Sequence, residues 1–220
     1  MYKAYELKEK LVREERTVPL GARARSKELN RQKILASAKA LFKDRGFEAA
    51  TLRDIAKEAG LSTGALFANF SDKNEIFIKV VEAESAVVLE RMIDAHDPTL
   101  PLTERLLKQL KCTYEAAHTD MQLVLSAFVM NWARRDPAFN EIDRLSDLVR
   151  QTMLASLSYA REHNELPAGS PIECASEILE DLCFSNLRRG FHGEMGLNEL
   201  IERMKQQITL VVSGLKSVAA

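Results

Sequence analysis

Cysteine is scarce in this chain, three in 220 residues, and Cys112, Cys174 and Cys183 match no zinc-binding spacing. Cys174 and Cys183 stand about half a revolution out of phase on a stretch read as helix, so they cannot pair with each other there, and buried free thiols are the expectation. Long apolar runs are missing as well. None approaches the ~20 residues of a membrane span, and the charged N-terminus lacks the apolar centre of a signal peptide, so a cytoplasmic protein without a membrane partner is expected. No strand-like alternation occurs, which makes the chain all-α by expectation. Nor is there a nucleophile beside a base, a cluster of metal ligands or a glycine loop able to cradle phosphate. Catalysis, cofactors and metals are therefore not expected.

What is present is the composition of an ordinary globular protein, 46% hydrophobic and 29% charged. The length suffices for one large domain or two small ones around a substantial core. A formal net charge of -1 conceals an asymmetry: residues 1–79 hold 17 Lys and Arg against 11 Asp and Glu, leaving 14 against 21 in residues 80–220. A basic N-terminal part on an acidic remainder suits a head that meets DNA and a body that need not.

The stretch Thr51 to Lys73, TLRDIAKEAGLSTGALFANFSDK, organises the rest. Thr51 can cap a helix with Asp54 three residues on, as in a capping box. Leu52, Ile55, Ala56 and Ala59 fall on one face, and Gly60 stands where a helix ends in a left-handed residue. Ser62 caps a second helix, read as Ser62 to Phe70, with Leu66 and Phe70 on its inner side. Ser71 and Asp72 start a third. Two short helices crossing at a glycine turn have the geometry of a helix-turn-helix, whose second member can lie in the major groove of DNA. Its outer face, Thr63, Gly64, Ala65, Ala68 and Asn69, is small or polar, so backbone can come close to base edges. A plain helical hairpin is the competing reading.

Thr51, Ile55, Ala56, Ala59, Gly60, Ser62, Gly64, Phe70 and Lys73 stand at the spacings of the TetR family of bacterial transcription regulators, which the chain resembles here. The upstream RQKILASAKALFKDRGFEAAT is similar to that family's first helix and the link into its second. The resemblance implies that Thr51, Arg53 and Lys73 hold phosphates, which sets register without reading sequence. It implies that Thr63, Gly64, Ala65 and Asn69 face the bases. Phe67 departs from the family's usual tyrosine; unable to donate a hydrogen bond to phosphate, it would press on a thymine methyl or a sugar edge.

The expected divisions are an N-terminal extension over residues 1–25, a helix-turn-helix head over 26–80 and a helical effector-binding and dimerisation domain over 81–220. The extension reads as a short extra helix or a disordered arm, in which Arg23 and Arg25 would reach the adjacent minor groove. The first head helix is expected from Ser26 to about Arg45. A fourth helix from Asp72 to about His96 would link head to body. Further helices are read from Thr103 to His118, Met121 to Arg135, Pro137 to His163, Pro171 to Phe191 and Leu197 to Val218.

By resemblance, the last two helices pair with their copies in a homodimer, which would set two recognition helices on a palindromic DNA operator. The middle helices would enclose an unidentified small-molecule effector, mainly apolar or aromatic. Tyr114, His118, Met121, Phe128, Trp132, Met153, Tyr159 and Phe184 are candidate lining residues, with ordinary core packing the competing reading for each. The function expected is that of a ligand-released repressor. The alternative is a protein of the same fold that organises DNA or recruits a partner without an effector.

Overall fold

The computed structural model describes residues 21–120, Leu123, Val124, Ser126, Ala127 and residues 140–217. The regular elements among the described residues are eight helices: α1 (Ala22–Ala49), α2 (Leu52–Glu58), α3 (Thr63–Phe67), α4 (Lys73–Asp94), α5 (Leu102–Thr119), α6 (Asn140–Glu162), α7 (Ile172–Phe191) and α8 (Leu197–Ser217). They fall into two units. One, the head, gathers residues 21–85 with Asp120 and the described part of 123–145; the other, the body, gathers residues 86–119 and 146–217.

α1 starts four residues before the expected Ser26. Arg25 N–H already bonds Gly21 C=O at 3.0 Å, because helix-forming residues precede the serine and no side chain caps the helix there. Gly46 at φ 76° interrupts it, and Phe47 turns back into the core. Phe42, Phe47 and Phe77 then meet ring to ring, with centroids 4.8–5.5 Å apart. Ile34, Ala38, Ile55, Leu66, Phe70 and Ile76 complete a buried core around them. Leu123 belongs to the same core, and Asp120 takes Lys43 at 2.6 Å, so the segment after α5 counts with the head.

In the body, α8 packs against α5 and α7. Its buried stripe, Leu200, Met204, Ile208, Val212 and Leu215, follows the helical repeat. One polar network crosses the three helices: Asn186 Nδ2 donates to Tyr114 Oη at 3.1 Å and to Gln207 Oε1 at 2.7 Å, while Arg203 Nε donates to Asn186 Oδ1 at 3.0 Å. A buried network that is satisfied in this way fixes helix register. The cysteines differ from expectation. Cys183 is buried, its thiol pushed up to about 12 by burial, but Cys112 is only half-buried and Cys174 is exposed. Cys174 shares the outer face of α7 with Glu173, Glu177 and Ile178, which the apolar count of that helix did not reveal.

Candidate nucleic-acid interface

The interface is built at three helix ends. Thr51 Oγ1 accepts the N–H of Asp54 at 3.1 Å and donates to Asp54 Oδ2 at 2.6 Å, while Thr51 N–H reaches the same oxygen at 3.3 Å. That closed capping box starts α2, and the hydrogen bond from Thr51 holds the Asp54 carboxyl below its ordinary range. At the other end Gly60, at φ 67°, sends its N–H to Lys57 C=O, and Leu61 N–H returns to Ala56 C=O at 2.9 Å. This paired closure turns the chain sharply into α3. Ser62 Oγ then accepts Ala65 N–H at 3.1 Å and sets the start of the recognition helix.

α3 is five residues long, shorter than the Ser62 to Phe70 expected. The difference has a local cause. Asn69 N–H closes on Leu66 C=O at 2.9 Å and its Nδ2 donates to Ala65 C=O at 2.8 Å, so the side chain satisfies a helix-end carbonyl and the backbone leaves the helix. Thr63, Gly64, Phe67 and Ala68 are exposed, and Ala65 and Asn69 are half-buried. Phe67 stands out, 55% exposed where an apolar ring gains nothing from water. Gly64 has ordinary helical dihedrals, and a Cβ there would meet only Ser62 Oγ at 3.9 Å. The fold does not require glycine at this position; its effect is a bare outer backbone.

Thr51 and Arg53 are exposed as well. Lys73 is engaged elsewhere. Its Nζ donates to Phe47 C=O at 2.8 Å, Ala50 C=O at 3.0 Å and Glu48 C=O at 3.2 Å, 4.2 Å from the centre of the Phe47 ring. An ammonium has three donors, and here all three lie on carbonyls. Arg31, which the motif reading did not single out, does similar work at the far end of α3. It donates to Asn69 C=O at 3.3 Å and lies 4.3 Å over the Phe70 ring. Arg23 and Arg25 sit exposed in the first turns of α1, not in an arm ahead of it.

The effector-side candidates among the described residues differ in exposure. Tyr114 and Met153 are fully buried in the body, and Tyr159 and Phe184 are half-buried there. His118 is exposed near the end of α5, apart from the buried candidates; Met121, Phe128 and Trp132 lie outside the described residues. Burial holds the Tyr114 hydroxyl far above the usual phenol range. The residues that periodicity passed over are polar ones on apolar faces: Arg105, Gln109, Thr152, Ser156 and Asn186, all buried. Arg105 and Gln109 continue the stripe of Leu102, Leu106 and Leu110, and that register was the available signal.

Residues 34–80 match the family model described as bacterial regulatory proteins, tetR family. Its head is a TetR-family domain. Beyond the head, the chain is similar to the HTH-type transcriptional repressor BepR of Brucella suis, 28% identical over 195 residues that cover 86% of this chain and 93% of the relative. The fold is that of solved TetR-type regulators. A TetR-family regulator from Syntrophomonas wolfei superposes with a TM-score of 0.71 at 18% identity, covering 86% of this chain and 97% of that one. The regulator FadR of Bacillus subtilis, solved in complex with stearoyl-CoA, gives 0.68 at 18% identity, covering 83% and 98%. Among the described residues no helix is long and apolar enough to cross a membrane.

Proposed function

We propose that the protein is a cytoplasmic transcriptional repressor that binds a palindromic operator as a homodimer and is released by a small, mainly apolar or aromatic effector. The observation that carries this is the capped helix-turn-helix with a bare, exposed outer face on α3, in a head matched by the TetR model and a chain similar to curated repressors. In this reading Thr63, Gly64, Ala65 and Phe67 meet the bases, and Thr51 and Arg53 meet phosphates. α7 and α8 supply the dimer surface, supported by Ile178 and Leu210, which are 42% and 73% exposed. An effector in the body is supported by the neighbour solved with stearoyl-CoA. The ligand would act through different affinity for the DNA-competent and released states.

The test is selection of duplexes from a random pool by the purified protein at two salt concentrations. Convergence on an inverted repeat, with affinity falling as salt rises, supports the reading. Retention of DNA without a consensus would favour an organising protein, and no retention would overturn DNA binding.

A further inference from the structure

The body holds a buried cation that is only half used. Arg105 is 0% exposed, and its Nη2 donates to both carboxylate oxygens of Glu165, at 2.6 and 2.7 Å. Nε and Nη1 are buried and have no hydrogen-bond partner among the described residues. Three N–H donors are therefore unspent. Such donors are costly to bury without an acceptor.

The surroundings are assembled for something besides the ion pair. Glu165 is placed by the end of α6, where Asn164 takes φ 60° and Glu165 N–H returns to Ala160 C=O at 2.8 Å. The Tyr159 ring lies 5.0 Å from the guanidinium, and His96 meets that ring edge-on at 5.5 Å. Ser156 donates to Gln109 Oε1 at 2.7 Å, which leaves its oxygen to accept from His96 Nδ1 at 2.8 Å. The tautomer this chain imposes leaves His96 Nε2 as an acceptor.

We infer that Arg105 is the polar anchor of the effector, and that Nε and Nη1 receive an uncharged oxygen acceptor, a ketone, ester or amide carbonyl, carried on an apolar or aromatic body. This rests on the effector reading above and names its ligand class. Charge decides between carbonyl and carboxylate. Arg105 and Glu165 cancel, and burial with the neighbouring guanidinium holds His96 below its ordinary range and so neutral. A bound carboxylate would bring an unbalanced charge into a buried place, whereas a carbonyl would not. Asp97, whose charge also acts on His96, is occupied by Thr99 and Lys108.

The experiment uses the full-length protein and two matched sets of probes: ethylbenzene, acetophenone and benzoate; decane, decan-2-one and decanoate. Binding is read by calorimetry, by release of the selected operator, and by the Nε–Hε resonance of Arg105 in ¹⁵N-arginine-labelled protein, assigned by its loss in Arg105→Lys. The expected result is that at least one ketone binds about tenfold or more tighter than its hydrocarbon and its acid, and shifts that resonance. Glu165→Gln leaves the guanidinium charge unbalanced and should turn the preference toward the acid, which keeps the inference open to test even where Arg105→Lys does not fold. A hydrocarbon that releases operator as well as its ketone, or a ketone that binds without moving the resonance, would overturn the anchor and leave the effector reading intact. Carboxylate preference in the unaltered protein would overturn the uncharged class. Failure of every probe to bind would remove the apolar-effector reading and the anchor with it.

Discussion

Lys73 shows how a side chain that reads as a DNA contact can be committed to the fold. Its ammonium gathers the carbonyls of Phe47, Glu48 and Ala50 just where α1 ends and Thr51 begins its capping box. Lys73→Met should therefore cost about 1–3 kcal/mol of stability, read from chemical denaturation. The slope of log affinity against log salt should stay as it is. Loss of a phosphate contact would instead lower it by about 0.9 per head, about 1.8 for a dimer. Gly64 gives the complementary case. Because a Cβ there meets nothing closer than 3.9 Å, Gly64→Ala should keep or raise stability, by up to about 1 kcal/mol, while operator affinity falls. Undiminished affinity in that variant would mean that no DNA backbone or base approaches α3 at this point. Neither assignment was available from spacing alone. The motif identified the positions, but the lysine's partners lie 23 to 26 residues away.

At the level of elements, the short-range signals were the legible ones. The capping box at Thr51, the glycine at 60, the serine at 62 and the apolar stripe of α8 are all set within a few residues, and the structure has each of them. Gly60 sits in open space at φ 67°, so Gly60→Ala should cost about 1 kcal/mol through backbone conformation alone, with no clash, measurable as a lowered Tm. What the sequence concealed depends on distant partners or on a local choice among competing hydrogen bonds. Asn69 takes the Ala65 carbonyl and ends α3 early, an option that helical periodicity does not register. Arg105 finds Glu165 sixty positions on, and in the sequence it resembled one more solvated charge on α5. The outer face of α7, where Cys174 and Ile178 lie, is distinguishable from its inner face only once α8 has been packed against it.

For the whole molecule, two titrations pull stability in opposite directions. Burial raises the Glu180 carboxyl to about 7, against the pull of Arg150, with Asp181, Asp147 and Glu177 adding to the rise. The folded state then holds a proton that the unfolded chain releases near 4.5, so this group favours folding as pH falls from about 7 toward 4.5. His96 acts oppositely. Burial lowers its pKa, so the unfolded chain takes up protons first, and stability is lost as pH falls through 6.5. Glu180→Gln should remove the gain on acidification, and the remaining profile should decline more steeply below 6.5, as followed by thermal unfolding between pH 4.5 and 8. A profile unchanged by Glu180→Gln would mean that its carboxyl titrates normally. Assembly is tested separately. Leu210→Asp, on the exposed side of α8, should shift sedimentation toward the monomer and abolish operator binding while the head stays folded.

The unequal exposure of the three cysteines gives the protein an internal clock. Cys174 sits one helical turn from Ile178 on the same outer face of α7, while Cys183 is buried against Tyr114. If α7 lies in the proposed dimer surface, a thiol reagent should label Cys174 only as fast as subunits part, and Cys183 only as fast as the body opens. Two labelling rates on one helix would thus time dissociation and unfolding independently, without any engineered probe.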